Sequence, residues 1–211
     1  MASFAEVTLS RVPAGIDVPE PLRMLFEWVD AHGFTSTGRD GELYGSLSAE
    51  WPGPGTNLLL RGYRPGETAD YVAAWFGSAR GESPTLWPFC RTGADGSVAA
   101  LWRAPDSATR IVHLGSGSGS LLTCVLGDDA VDFLRLIGIG YDEICWSEDW
   151  SNPPVPEPDR SVLNEPYRTW VESTFDVTIP RTAVEIVPDP AEMGDDGTAD
   201  TWCRWVDAAT S

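Results

Sequence analysis

Three short apolar segments, SVAALWR (97–103), TRIVHLG (109–115) and SLLTCVL (120–126), follow one another with only brief runs rich in Gly, Ser, Pro and Asp between them. Connections that short hold no crossover helix, so neighbouring strands here pair antiparallel, as a meander. Downstream, GDDAVDFLRLIGIGYDEI (127–144) places Asp128 and Asp129 where a helix N-cap belongs. It also brings Ala130, Phe133, Leu134 and Ile137 onto one face. Upstream, GELYGSL (41–47) and NLLLRGY (57–63) flank WPGPG (51–55) and read as two strands and a turn. Together these segments predict an α+β fold, a mainly antiparallel β-sheet packed against several α-helices.

The flanks fill in around that centre. FAEVTLSRV (4–12) reads as a first strand ended by Pro13 and Gly15. In PEPLRMLFEWVDAHG (19–33), Leu22, Leu25, Phe26 and Val29 recur at helical spacing, with Pro at the entry and Gly33 at the stop. ETADYVAAWFGSARG (67–81) stays open between helix and strand. Tyr71, Val72, Trp75 and Phe76 suit a helical face, whereas the aromatic content suits a strand. CWSEDWSNPPVPEPDR (145–160), with four Pro, predicts an extended loop, and Asn164 then caps a helix over EPYRTWVESTF (165–175). PDPAEMGDDGTAD (188–200) is expected as a mobile acidic loop, and TWCRWVDAA (201–209) as a last amphipathic turn or two. The resulting organisation is a core over 1–150, a Pro-rich linker or loop over 151–163 and a helical extension over 164–211 that packs on the core.

Charge narrows the range of partners. The 211 residues hold 14 basic groups, all Arg, against 32 acidic ones, a formal net charge of −18. Residues 1–127 carry 9 Arg and 13 acids, and 128–211 carry 5 Arg and 19 acids, so the excess is concentrated in the second part. Such a field repels phosphate backbones and anionic lipid and speeds encounter with a basic partner, which argues against direct nucleic-acid or membrane binding. No apolar run reaches the roughly 18 residues of a membrane span. The N-terminus lacks the basic and apolar regions of a secretory signal, so the cytoplasm is the expected compartment. Cys90, Cys124, Cys145 and Cys203 match neither a C-x-x-C pair nor a small disulfide framework.

Catalytic chemistry finds little material. His32 and His113 are the only histidines, His32 closing a helix and His113 set between apolar neighbours. GSGSGS (115–120) lacks the G-x-S-x-G spacing of a nucleophile elbow and the Lys of a phosphate loop, and reads as a flexible hairpin loop. Asp189, Glu192, Asp195 and Asp196 do not follow the calcium-loop order. These readings imply no catalytic residue, metal ligand or cofactor. A carboxylate-based hydrolase stays open, because 32 acids offer many pairs. One cluster fits a protein-binding surface: Asp142, Glu143, Trp146, Glu148, Asp149 and Trp150, where aromatic anchors sit among carboxylates able to select a basic partner. Trp146 equally suits a cover over the core edge.

FCRTGADGSVAALW (89–102), the Gly-rich turn and VLGDDAVDFLRLIGIGYDEI (125–144) together resemble the SUKH superfamily, the SMI1/KNR4-like proteins. Asp95 and Gly96 match the family's D-G turn, and Val131, Phe133 and Leu134 match its helix motif. The likeness spans about residues 85–145. The family's opening helix with Gly and Pro has no clear counterpart near residues 18–35, and a similar pattern stands instead at YRTWVESTFDVTIP (167–180). The resemblance implies an α+β fold, no catalytic residues and a role as a bacterial immunity protein that binds and neutralises a cognate toxin. Many such toxins are nucleases with basic surfaces. A regulatory or scaffolding module that binds a host protein is the alternative, with a monomer or homodimer expected in either case.

Overall fold

The computed structural model describes residues 2–48, 58–77, 84–154 and 164–210. Among these residues, six strands form one antiparallel sheet in sequence order: β1 (Thr35–Thr37), β2 (Leu43–Gly45), β3 (Leu59–Leu60), β4 (Thr85–Arg91), β5 (Val98–Arg103) and β6 (Thr109–Leu114). The helices are α1 (Phe4–Leu9), α2 (Glu20–His32), α3 (Pro65–Phe76), α4 (Ala130–Gly138), α5 (Glu165–Phe175) and α6 (Thr201–Thr210). The α+β architecture expected from the meander is therefore present. WPGPG lies outside the described residues.

The sheet is covered on both faces, and β5 shows how. Ala99 and Leu101 join a core with Trp87, Phe89 and the buried sides of α1, α2, α4 and α5. Val98, Ala100 and Trp102 point the other way, into a second core closed by Phe76 of α3 and by Trp202 and Val206 of α6. Period-two alternation thus survives, but both sets are apolar because both faces are dry. β4 carries Pro88 in mid-strand, which removes a ladder donor, and the register shifts between Pro88 and Cys90 as a bulge.

Several expectations change. FAEVTLSRV opens as a helix, because Ser3 and Glu6 form a reciprocal capping box. The Asp30 carboxylate of α2 accepts the Phe4 and Ala5 N–H groups at 2.9 and 2.8 Å, satisfying the other free donors of that helix end. ETADYVAAWF is helical. Pro65 starts α3, and the Glu67 carboxylate accepts the Arg64 N–H at 2.8 Å. SLLTCVL runs beside β6 as an irregular edge with isolated bridges, joined by His113 N–H to Cys124 O (2.8 Å) and Leu126 N–H to Ile111 O (2.9 Å). The acidic segment expected to be mobile is tied to that edge in turn. Thr123 N–H donates to Ala191 O at 2.8 Å, Met193 N–H donates to Leu121 O at 2.9 Å, and Ala191 is buried.

Residues after 164 belong to the same packing. Tyr167 and Val171 of α5 are fully buried in the core that holds α2 and α4, and the Tyr167 hydroxyl donates to Leu134 O at 3.0 Å. Trp202 of α6 is buried in the other core, and its indole N–H donates to His113 O at 2.9 Å. Of the Pro-rich stretch 151–163, only 151–154 lies among the described residues.

Candidate binding face

Four loops converge at one end of the sheet. The β4–β5 turn contributes Asp95, whose carboxylate accepts the Ser97 N–H (3.0 Å), the Ser97 hydroxyl (2.7 Å) and the Ser120 N–H (3.2 Å). These bonds pin the 115–120 loop to the turn. Partial burial works against ionisation of Asp95, but the donors from Ser97, Ser116 and Ser120 outweigh it and hold the carboxyl down to about 2. Within the 115–120 loop, Gly117 N–H donates to Ser120 O at 3.1 Å and Gly119 N–H to the Ser116 hydroxyl at 2.9 Å, so this hairpin loop is a built turn.

The 141–150 loop is joined to the turn through Glu143, which accepts the Ala94 N–H at 2.7 Å and the Trp146 indole N–H at 2.9 Å. It is joined to the 188–197 loop by the Ser147 hydroxyl, which donates to Glu192 at 3.0 Å. Helix α3 closes the side, with the Tyr71 hydroxyl 3.4 Å from Gly96 O. Between α3 and the loops lies a groove of about 410 Å³ lined by Tyr71, Ala74, Trp75, Asp95, Gly96, Ser116, Gly117, Ser118 and Met193.

The electrostatics of this end follow from the sequence of its loops. Segments 92–97, 115–120, 141–150 and 188–197 together contain nine acids and no Arg. Elsewhere several of the described arginines are paired with acids. Arg11 and Arg64 both pair with the buried Glu42, Arg61 pairs with Glu67, Arg110 with Asp106 and Arg135 with Asp132. These segments therefore contribute a net negative field at this end of the sheet.

The predicted binding residues divide into separate roles. Glu148 and Asp149 are exposed on a short 3-10 turn, Ser147–Asp149. Asp142 and Trp146 are half-buried, and Glu143 spends its oxygens organising the loop. Trp150 is a correction to the surface reading, because it is fully buried in the main core and offers no area to a partner. The hydroxyl of Tyr141 donates to Asn152 O at 2.7 Å and accepts the Ala183 N–H at 3.2 Å, which holds that stretch of chain inward. Sequence reasoning named Tyr71 and Trp75 only as members of a possible helical face, and assigned neither of them nor Met193 to a site. Their juxtaposition depends on the helical state of α3 and on the docking of the 188–197 segment, and neither was decided by local pattern.

Of the groups that most often carry chemistry, His113 and the cysteines are sequestered, whereas His32 is exposed. His113 is fully buried, with Nδ1 2.9 Å from Leu122 O and Nε2 2.8 Å from the Thr92 hydroxyl. Desolvation pushes its pKa down to about 4 despite the Leu122 carbonyl, so the ring is neutral, Nδ1–H donates and Nε2 accepts. The His32 ring stacks on Trp28 at 4.2 Å, with Nδ1 2.8 Å from Trp28 O. All four cysteines are buried free thiols, and burial pushes the Cys90 and Cys203 thiols up to about 12. Among the described residues no three His, Cys, Asp or Glu side chains converge as metal ligands, and no helix is long and apolar enough to cross a membrane. No protein-family model, no curated protein and no solved structure matches the chain.

Proposed function

We propose that this chain is a non-catalytic binding protein with a basic protein partner, and that it acts in the cytoplasm as an immunity protein of the SUKH type, neutralising a cognate bacterial toxin by tight association. The observation that carries the reading is the end face: four loops locked together by hydrogen bonds, bearing nine acids without one Arg. A rigid surface loses little conformational entropy on binding, and its field raises the encounter rate with a cation-rich surface by roughly 10- to 1,000-fold at low salt. The family role rests on the order of turn, strands and helix around Asp95, Gly96, Phe133 and Leu134. The sequestered His113 and thiols suit a protein whose work is done by contact.

The test is co-expression with the toxin domain encoded beside the gene. The native chain is expected to restore growth and to copurify as a stoichiometric complex, and the double substitution Glu148→Arg/Asp149→Arg is expected to weaken both while leaving the fold intact. Absence of both protection and complex formation with every encoded neighbour would overturn the immunity role.

A further inference from the structure

The groove between α3 and the loops has walls of a definite chemistry. Tyr71 and Trp75 stand on one helix face, Asp95 supplies a fixed carboxylate, Ser116 to Ser118 contribute hydroxyls and backbone, and Met193 contributes a polarizable thioether. Asp95 cannot swing away, because Ser97 and Ser120 hold both of its oxygens. Beside the groove lies a second, independent feature. Leu121 is the one exposed large apolar side chain among the described residues, at 44%, and its carbonyl accepts the N–H of Met193 from the groove wall. An aromatic pair, a fixed anion and an adjacent apolar residue form a combination that suits a planar cation on an alkyl stem.

We infer that this groove receives an arginine side chain presented by the protein partner, its guanidinium stacked on Tyr71 or Trp75 and facing Asp95, with an apolar neighbour of that arginine resting on Leu121. The inference rests on the binding-protein reading above and gives that reading an address. Arginine is favoured over lysine because its guanidinium is planar, weakly hydrated and able to stack while it donates sideways to acceptors. The charge around the groove favours the same occupant, since the adjoining loop segments contain nine acids and no Arg.

Calorimetry of the full chain with octa-arginine and octa-lysine peptides at near-physiological salt tests this. Truncating Trp75 risks disturbing the second core, so the decisive variant fills the groove from an exposed helical site instead. Ala74→Arg puts a guanidinium on the α3 wall, and Thr169→Arg adds the same charge on exposed α5 as a control. The expected result is tighter binding of octa-arginine than of octa-lysine, a loss of about tenfold with Ala74→Arg, and less than threefold with Thr169→Arg. Leu121→Ser should leave these peptides unaffected but weaken an otherwise equal peptide carrying Leu beside Arg. Equal weakening by the two Arg variants, or no preference for arginine, overturns the groove and leaves the acidic-face reading standing. Binding of neither peptide overturns both.

Discussion

His113 sits in β6 with each ring nitrogen committed, Nδ1–H to Leu122 O and Nε2 to Thr92, in surroundings that exclude water. Its folded pKa of about 4 lies below the usual value near 6.5, so between those limits the unfolded chain binds more protons than the folded one. The stability contributed by the neutral ring is therefore complete above about pH 6.5 and is lost as pH falls toward 4. From pH 7.5 to 5 the loss attributable to this group is about 2 kcal/mol. Urea unfolding at the two pH values measures it, and His113→Gln, although less stable at pH 7.5, should show a correspondingly smaller drop. An equal drop in both proteins would refute the assignment. The glycines of 115–120 divide just as sharply. A Cβ on Gly115 would lie 2.3 Å from Ser120 O, whereas one on Gly117 meets nothing, and the only obstacle there is a φ of +72°. Gly115→Ala should cost roughly 1–3 kcal/mol and Gly117→Ala about 1, read from urea midpoints. Alternating GSGSGS announces a loop but gives no sign of which glycine is hemmed in, because that depends on a carbonyl brought back by the hairpin.

At the level of elements, the strongest helices were legible because their ends and their faces agree. Asp129 accepts the Val131 and Asp132 N–H groups at 2.8 and 3.0 Å, and the side chains expected on the inner face of α4 are all buried. Asp129→Ala should lower stability by about 1 kcal/mol, and Asp128→Ala, at an exposed site just outside the cap, by much less. Thermal or urea melts of the two single variants compare them directly, and similar losses would mean that the cap is shared. Helix α1 was missed because its apolar residues alternate well enough for a strand, while the signals that decide it are the Ser3–Glu6 box and an acceptor, Asp30, supplied from α2. Strand β4 is hard to read for the opposite reason, since Pro88 argues locally against a central strand and the bulge that accommodates it is a property of the pairing. The candidate site follows the same division. Its acids were visible as composition, but Trp150 turned inward, and the groove required α3 and the 188–197 segment to be placed together.

For the molecule as a whole, the sheet joins two cores, and the last quarter of the chain serves both. Helix α5 fills the face covered by α2 and α4, where Trp28 contacts Tyr167 and Trp170 at ring separations of 5.4 and 5.6 Å. Helix α6 fills the face covered by α3, where Trp202 lies against Trp102 at 4.9 Å and Phe76 at 6.2 Å. Neither core is complete without residues beyond 164, and each shares β4, β5 and β6 with the other. An arrangement of this kind unfolds as one unit, because exposing either face of the sheet uncovers the strands on which the opposite core is built. Far-ultraviolet circular dichroism, which follows the whole backbone, and tryptophan fluorescence, which follows both cores, should therefore give coincident urea transitions with one midpoint. Trp202→Ala makes the argument sharper. It deletes a fully buried side chain of α6 and its bond to His113 O, at an expected cost of about 3–5 kcal/mol. If the molecule is one cooperative unit, that loss moves both signals together, including the contribution of Trp28 and Trp170 on the far face. A C-terminal segment beyond 164 that folded as a separate appendage would give two transitions, with only the later helices shifted by the substitution.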